Sequence, residues 1–268
     1  MRKFYLKNSL GQEWNLNDVS SFFHTVKGLG QDYKTTYTQI GNRFLKTKSN
    51  LSQKKINGKV RFKGYEDFND FSKFIQHKPL TLIYGDIQSG NIYPPVYPEN
   101  KDYLLDVVIS SLEKAELETG GLQCKITFES LGTYYRIVNA DGVADSEATT
   151  VTIESDTVLD SGMKIEIQGP CTNPYYTHCV DGVEKGSGGF ICEIESGKSM
   201  VIDTTKLPYE VKEYSSDGEI LRDLYGMSDF STVRFLNLGY GNNTIVFTQE
   251  GTDALTVSVE AKIEYESV

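Results

Sequence analysis

One tryptophan, three histidines, four cysteines and seven prolines are spread over 268 residues, and each scarcity closes off a class of protein. The cysteines stand at 124, 171, 179 and 192 and form no C-x-x-C pair, so zinc-ribbon and thioredoxin-type patterns are absent. Cys171, His178, Cys179 and Cys192 fall close together in sequence and mark the one place to look for a metal. The plainer reading is reduced thiols partly buried in strands, and no metal or cofactor is expected. His24 sits beside Phe22-Phe23, His77 near a helical stretch, and His178 among the cysteines. None lies in a nucleophile or metal motif, and no G-x-S-x-G, H-E-x-x-H or P-loop pattern occurs. No catalytic residue is therefore assigned, although carboxylates are numerous and their spatial pairing is invisible in sequence. Few prolines and 24 glycines argue against disorder or collagen-like repeats. No run of about 18 apolar residues could span a bilayer, and no apolar stretch follows the basic start; the expectation is a soluble product made in a cytoplasm.

What is present is a charge split. Residues 1–63 hold 13 Lys+Arg against 3 Asp+Glu, whereas residues 136–268 hold 9 against 23. Charge distribution speaks to surroundings and partners, and this one points to two domains facing different environments.

The acidic half reads as strands. At its end, Val257, Val259, Ala261, Ile263 and Tyr265 occupy every second position, the spacing that lines one face of a half-buried strand. Shorter runs recur at 150–154, 164–168, 190–195, 200–203, 209–214, 233–238 and 244–249. Turn signals separate them at Asp141-Gly142, Asp181-Gly182, Asp217-Gly218 and Gly241-Asn242-Asn243. Such spacing fits a jelly-roll β-sandwich. Sandwiches of this kind often bind sugar by stacking it on an exposed aromatic. Tyr175 and Tyr176 are the best candidates for sugar stacking, and a loop packed against the sandwich is their more ordinary reading.

The basic half is more varied. Lys54, Lys55, Ile56, Asn57, Gly58, Lys59, Val60 and Arg61 place Asn-Gly between alternating flanks, which predicts a protruding hairpin with a basic polar side. Residues 65–77 set Tyr65, Phe68, Phe71, Phe74 and Ile75 three and four apart, with acids early and Lys73 late, which predicts one short amphipathic helix stopped by Pro79. The proline-bearing stretch 85–100 reads as a loop, and 104–117 and 124–128 as two arms of a hairpin. The basic hairpin lacks a recognition helix, a zinc module or an aromatic platform for sequence-specific nucleic-acid binding. The fold class is mainly β: an N-terminal β-rich domain over 1–133 with one short helix, and a C-terminal sandwich over 134–268.

In their order these features resemble the distal tail protein (Dit) family of long-tailed phages with non-contractile tails. The resemblance rests on 4–11 as a first strand, on Gly28-Leu29-Gly30 leading through a Tyr-rich stretch to 53–58, and on 60–75. It continues through 112–116, 122–130 and Gly132-Thr133-Tyr134-Tyr135. In the second half it rests on Ile167-Gln168-Gly169-Pro170, Asn173-Pro174, Val201-Ile202-Asp203-Thr204, 239–245 and the ending 263–268. Gly-Thr-Tyr-Tyr departs from the Trp or Pro more usual in the closing motif. The family implies a structural, non-enzymatic protein of the virion tail tip, assembled in the bacterial host cytoplasm. Its N-terminal domains form a homohexameric ring and its C-terminal domains are galectin-like sandwiches that project outward. The partners implied are other copies of itself, the tail tube protein, the tail-associated lysin or tail fibre protein, receptor-binding or baseplate proteins, and genome DNA in transit, with no membrane insertion. Segments within 28–63 are expected at the subunit interface, led by the 54–61 hairpin. The alternative function is a carbohydrate-binding adsorption module on the sandwich, against which the absence of tryptophan from that half argues.

Overall fold

A computed structural model describes residues 2–86, 102–117, 121–145, 148–231, 235–250 and 254–267. The chain divides into two compact units, 1–135 together with 265–268, and 136–264.

The first unit contains β1 (Arg2–Lys7), β2 (Glu13–Asn15), β3 (Ser21–Lys27), β4 (Tyr33–Ile40), β5 (Arg43–Leu51), β6 (Lys55–Phe62), α1 (Tyr65–Phe74), β7 (Leu80–Asp86), β8 (Tyr103–Glu116) and β9 (Leu122–Ser130). Its sheet is antiparallel in the order β2-β1-β7-β8-β9-β6-β3, and β4 and β5 pair only with each other. Aromatic rings build the core beneath it. Phe23 stands edge-on to Phe4 at 5.2 Å and to Phe128 at 5.8 Å. The stripe predicted on the helix faces that core: Phe71 lies 5.3 Å from Phe62 and 5.5 Å from Trp14, edge and tilted geometries that add to the burial of apolar area. The helix ends at Phe74, short of the predicted residue 77, and residues 75–77 close it with turn bonds such as His77 N–H to the Phe74 carbonyl at 3.3 Å. Most of the 85–100 stretch lies outside the described residues; its first two residues end β7.

Both chain crossings between the units meet β8. Tyr135 pairs in register with Leu104, and the Tyr265 ring stands edge-on to Tyr103 at 5.1 Å.

The second unit contains β10 (Tyr134–Asp141, whose first two residues belong to the first unit), β11 (Val143–Ala144), β12 (Thr149–Ser155), β13 (Met163–Gln168), β14 (Cys171–Thr172), β15 (Tyr175–Val180), β16 (Val183–Gly189), β17 (Glu193–Ile194), β18 (Ser199–Asp203), β19 (Glu210–Tyr214), β20 (Ile220–Asp223), β21 (Gly241–Thr248) and β22 (Thr256–Tyr265). One sheet runs β10-β22-β13-β18-β19-β20 and the other β11-β12-β21-β15-β16. Alternate residues are buried along β12, β13, β15, β21 and β22, so each sheet has one apolar face, as a sandwich requires. The alternation read at 257–265 is that buried face. The predicted strand at 190–195 shrinks to Glu193–Ile194, because Phe190 instead bridges Ser228. Of the predicted 233–238 strand, 233 and 234 lie outside the described residues and Leu238 makes an isolated bridge to Ser161. Gly241-Asn242-Asn243 is no turn; it opens β21, with Asn243 buried and paired to Ile153.

Candidate assembly surface

The predicted hairpin at 54–61 is corrected by the structure: residues 55–61 lie in one continuous strand inside the sheet, with β3 on one side and β9 on the other, and Lys54 immediately precedes it. The side chains are therefore dispersed. Ile56 and Val60 are core residues. Lys54 is buried, its Nζ donating to the Gly30 carbonyl at 2.8 Å and lying 5.3 Å from the Tyr134 ring centre; desolvation lowers its pKa. Lys55 pairs with Glu129 at 2.7 Å, and Asn57 accepts a hydrogen bond from the Thr127 hydroxyl at 2.8 Å. Gly58 leaves room for the Phe23 ring. Lys59 is half-buried and Arg61 exposed, standing opposite Lys125 and Gln123. Partial burial, then Lys59 and Arg61, lower the pKa of nearby His24.

The hairpin that does stand free is β4–β5. Its tip is Gly41-Asn42, with Gly41 at φ 61°, a left-handed conformation that suits glycine in a two-residue turn. Residues 33–51 contain Lys34, Arg43, Lys46 and Lys48 and no Asp or Glu. Alternation, shifted once by the bulge between Thr36 and Tyr37, gives the ribbon two unlike faces. Lys34, Lys48 and Arg43 share one with Ile40 and Leu45, while Tyr33, Tyr37, Phe44 and Lys46 share the other. Nearly all of it is exposed, Phe44 to 68%, an unusual cost for apolar side chains unless a partner covers them. Its root is tied down. Ser52 N–H donates to the Asp32 carbonyl at 2.8 Å, Gln31 Nε2 donates to Glu266 at 3.2 Å, and the Tyr33 hydroxyl donates to the same carboxylate, which raises the Tyr33 pKa. Sequence reasoning missed this ribbon although Gly41-Asn42 between Thr/Tyr-rich flanks is a hairpin signal.

In the second unit Tyr175 and Tyr176 lie in β15, not in a loop. Tyr176 is 2% exposed, burial pushes its hydroxyl pKa up to about 12, and its ring covers Gly188, while Tyr175 covers Gly189. Both rings thus fill the space left by their cross-strand glycine partners, and Tyr176 has no face to offer a sugar. Cys171 and Cys192 are buried, the first with its thiol pushed up to about 11, and no metal-holding cluster occurs among the described residues. His178 is buried and bonded through Nε2 to Asn243 Oδ1 at 3.0 Å. Because Asn243 Nδ2 donates to the Gly239 and Gly241 carbonyls, Oδ1 is the acceptor and His178 carries its proton on Nε2.

A cleft of about 660 Å³ is lined by Glu193, Glu195, Lys198, Glu213, Leu221 and Arg222. Glu213 is 3% exposed and held by Arg222 Nε. Lys198 bonds Glu195 at 2.6 Å and lowers its pKa, the opposite of the raised carboxyl that a glycosidase acid needs.

Near this cleft runs an open row of aromatics. Tyr209 lies 5.1 Å from Phe235, Phe235 is stacked on Tyr225 at 5.6 Å, and Tyr225 lies 6.2 Å from Phe230. Ile191 N–H donates to the Met227 carbonyl at 2.8 Å, which brings two further exposed apolar side chains beside the row.

The N-terminal unit has its counterpart in a known family: residues 3–131 match the model described as distal tail protein, N-terminal domain. Among solved structures, a chain of the phage P2 baseplate in its activated conformation with Ca is 15% identical, with full coverage of both chains and a TM-score of 0.65. The SPP1 Dit protein (gp 19.1), described as a paradigm of the hub adsorption apparatus in phages infecting Gram-positive hosts, is 11% identical over 98% of this chain and 99% of that one, with a TM-score of 0.63. At such identities the likeness is one of fold. A comparison with curated proteins found no match. Over its full length the chain is similar in fold to hub proteins of phage tails and baseplates. Residues 3–131 thus match the distal tail protein family in sequence, and the rest of the chain is similar to its members in fold alone.

Proposed function

We propose that this chain forms a ring of six copies at the tip of a phage tail, through its N-terminal unit. The ring joins the tail tube to the tail-associated lysin and to receptor-binding or baseplate proteins, and leaves a passage for the genome. The second unit is a galectin-like sandwich that projects outward as a platform, and the role is structural, without catalysis. Assembly in the host cytoplasm precedes its place at the tail tip. The observation that carries this reading is the β4–β5 ribbon, an arm with an aromatic face and four cations that its own unit leaves uncovered. A ring needs a head-to-tail contact between two different surfaces, and such an arm supplies one of them. The interface expected within 28–63 therefore lies on this ribbon, while the 54–61 strand supports it.

Native mass spectrometry and negative-stain imaging of the purified full chain test the proposal. A closed six-membered ring is the expected result. A monomer, or a closed assembly with another copy number, would overturn it.

A further inference from the structure

The cleft of the second unit holds both signs of charge in a fixed arrangement. Arg222, paired across the ladder with the buried Glu213, donates through Nε to Glu213 Oε2 and through Nη2 to the Glu193 carbonyl at 2.9 Å. Lys198 Nζ is bonded to Glu195 at 2.6 Å and stands 3.8 Å from Glu213 Oε1, beyond hydrogen-bond reach. Each cation is thus held by one carboxylate. Among the described residues, Glu213 Oε1 and the Glu193 carboxylate accept no hydrogen bond. Leu221, 46% exposed, is the apolar side chain of the lining.

A ligand for this cleft has to satisfy both signs. Three carboxylates against two cations repel an anion. A cation gains from the carboxylates but meets Lys198 and Arg222 fixed beside them. A hydroxyl both donates and accepts, and a sugar ring sets several hydroxyls side by side around a face of C–H groups. Such hydroxyls donate to Glu193 and to Glu213 Oε1 and accept from Arg222 and Lys198, all of them charge-assisted bonds. The C–H face rests on Leu221. Side chains already fixed by their own ion pairs lose little further freedom on binding.

We infer that this cleft binds a neutral sugar ring and does not cleave it. Glu195, whose pKa the Lys198 hydrogen bond lowers, keeps no proton for a leaving group. The site goes beyond the assembly reading, which uses the first unit. The chain's one tryptophan, Trp14, lies outside the second unit, so a single ring binds without indole stacking and weakly, with a dissociation constant on the order of millimolar. Several copies in one assembly raise the avidity for a polymer that carries many such rings.

Saturation-transfer NMR of the full chain tests this with probes at up to about 50 mM, well above that affinity. Methyl glucoside, methyl galactoside, N-acetylglucosamine and rhamnose are the neutral rings. Glucuronate and glucosamine are the charged ones, and N-acetylalanine methylamide is a neutral peptide. At least one neutral sugar is expected to bind, more tightly than any charged or peptide probe, and the methyl glycosides are expected to stay intact. Glu193→Ala and Lys198→Met should each weaken that binding by about tenfold, with thermal unfolding close to wild type. If one of them fails to fold, the other decides. No binding of any neutral sugar, tighter binding of a charged or peptide probe, hydrolysis of a glycoside, or folded variants that bind like wild type would overturn the inference. Copy number is read separately by native mass spectrometry, so the sugar site and the ring can each fail alone.

Discussion

The ring of Phe23 lies where a side chain on Gly58 would have to begin: a β-carbon built there would stand 2.8 Å from Phe23 Cζ and closer still to its neighbour. That one relationship explains why an Asn-Gly pair, the strongest short hairpin signal, sits here inside a strand. Pairing on both edges holds the backbone extended, and the missing side chain admits a core aromatic that also touches Phe4 and Phe128.

Gly58→Val should cost about 1–3 kcal/mol through overpacking. Phe23→Leu in the same background should recover part of that loss. Urea denaturation of the single and double variants checks both, and additive effects would show that the two positions are independent.

Glu213 and Arg222 give a second prediction. Arg222→Met leaves a carboxylate that is 3% exposed with only Lys198 at 3.8 Å, and should destabilise the second unit by about 2 kcal/mol, a figure reduced for the half-open arginine. Glu213→Gln in addition should return most of the loss. A double variant no more stable than Arg222→Met would refute the account.

The pH dependence of the second unit follows from His178, whose pKa burial depresses despite the Asn243 bond. Folded and neutral, it binds fewer protons than the unfolded chain. Stability is therefore complete above the unfolded value of about 6.5 and declines as pH falls from there toward the folded pKa, by at most about 1.4 kcal/mol per pH unit. His178→Gln, which can still donate to Asn243, should flatten the decline between pH 7 and 5 in thermal unfolding.

The ribbon root can be tested separately from the ribbon's partner. Glu266→Gln weakens the acceptor that Tyr33 and Gln31 share. Hydrogen exchange across 33–51 should quicken while exchange in β6 and β9 stays unchanged. Equal quickening in all three would mean that the carboxylate supports the whole unit.

Much of the fold was legible because it is written in alternation. β22 and β13 could be read residue by residue, and the α1 stripe was recognisable from its three-and-four spacing. What failed were positions where a local signal met a tertiary constraint. Asn57-Gly58 lost its turn to two flanking strands. Gly241-Asn242-Asn243 lost its turn to the register with β12. Tyr175 and Tyr176 were seen as an aromatic pair, but the glycines that admit their rings are on β16, more than ten residues away. The aromatic row was illegible for a similar reason, since Tyr209, Tyr225 and Phe235 are brought together only by the path of the chain around β20.

Tyr135 and Tyr265 both rest on β8, so the polypeptide departs from the first unit and comes back to it at one spot. In topological terms residues 136–264 are an insertion, looped out of a host domain whose own sheet is completed without them. Recombination could therefore exchange this cassette between tail genes with both splice points on one strand's surface. Such an exchange would replace residues 136–264 while leaving the strand pairing of the first unit as it is.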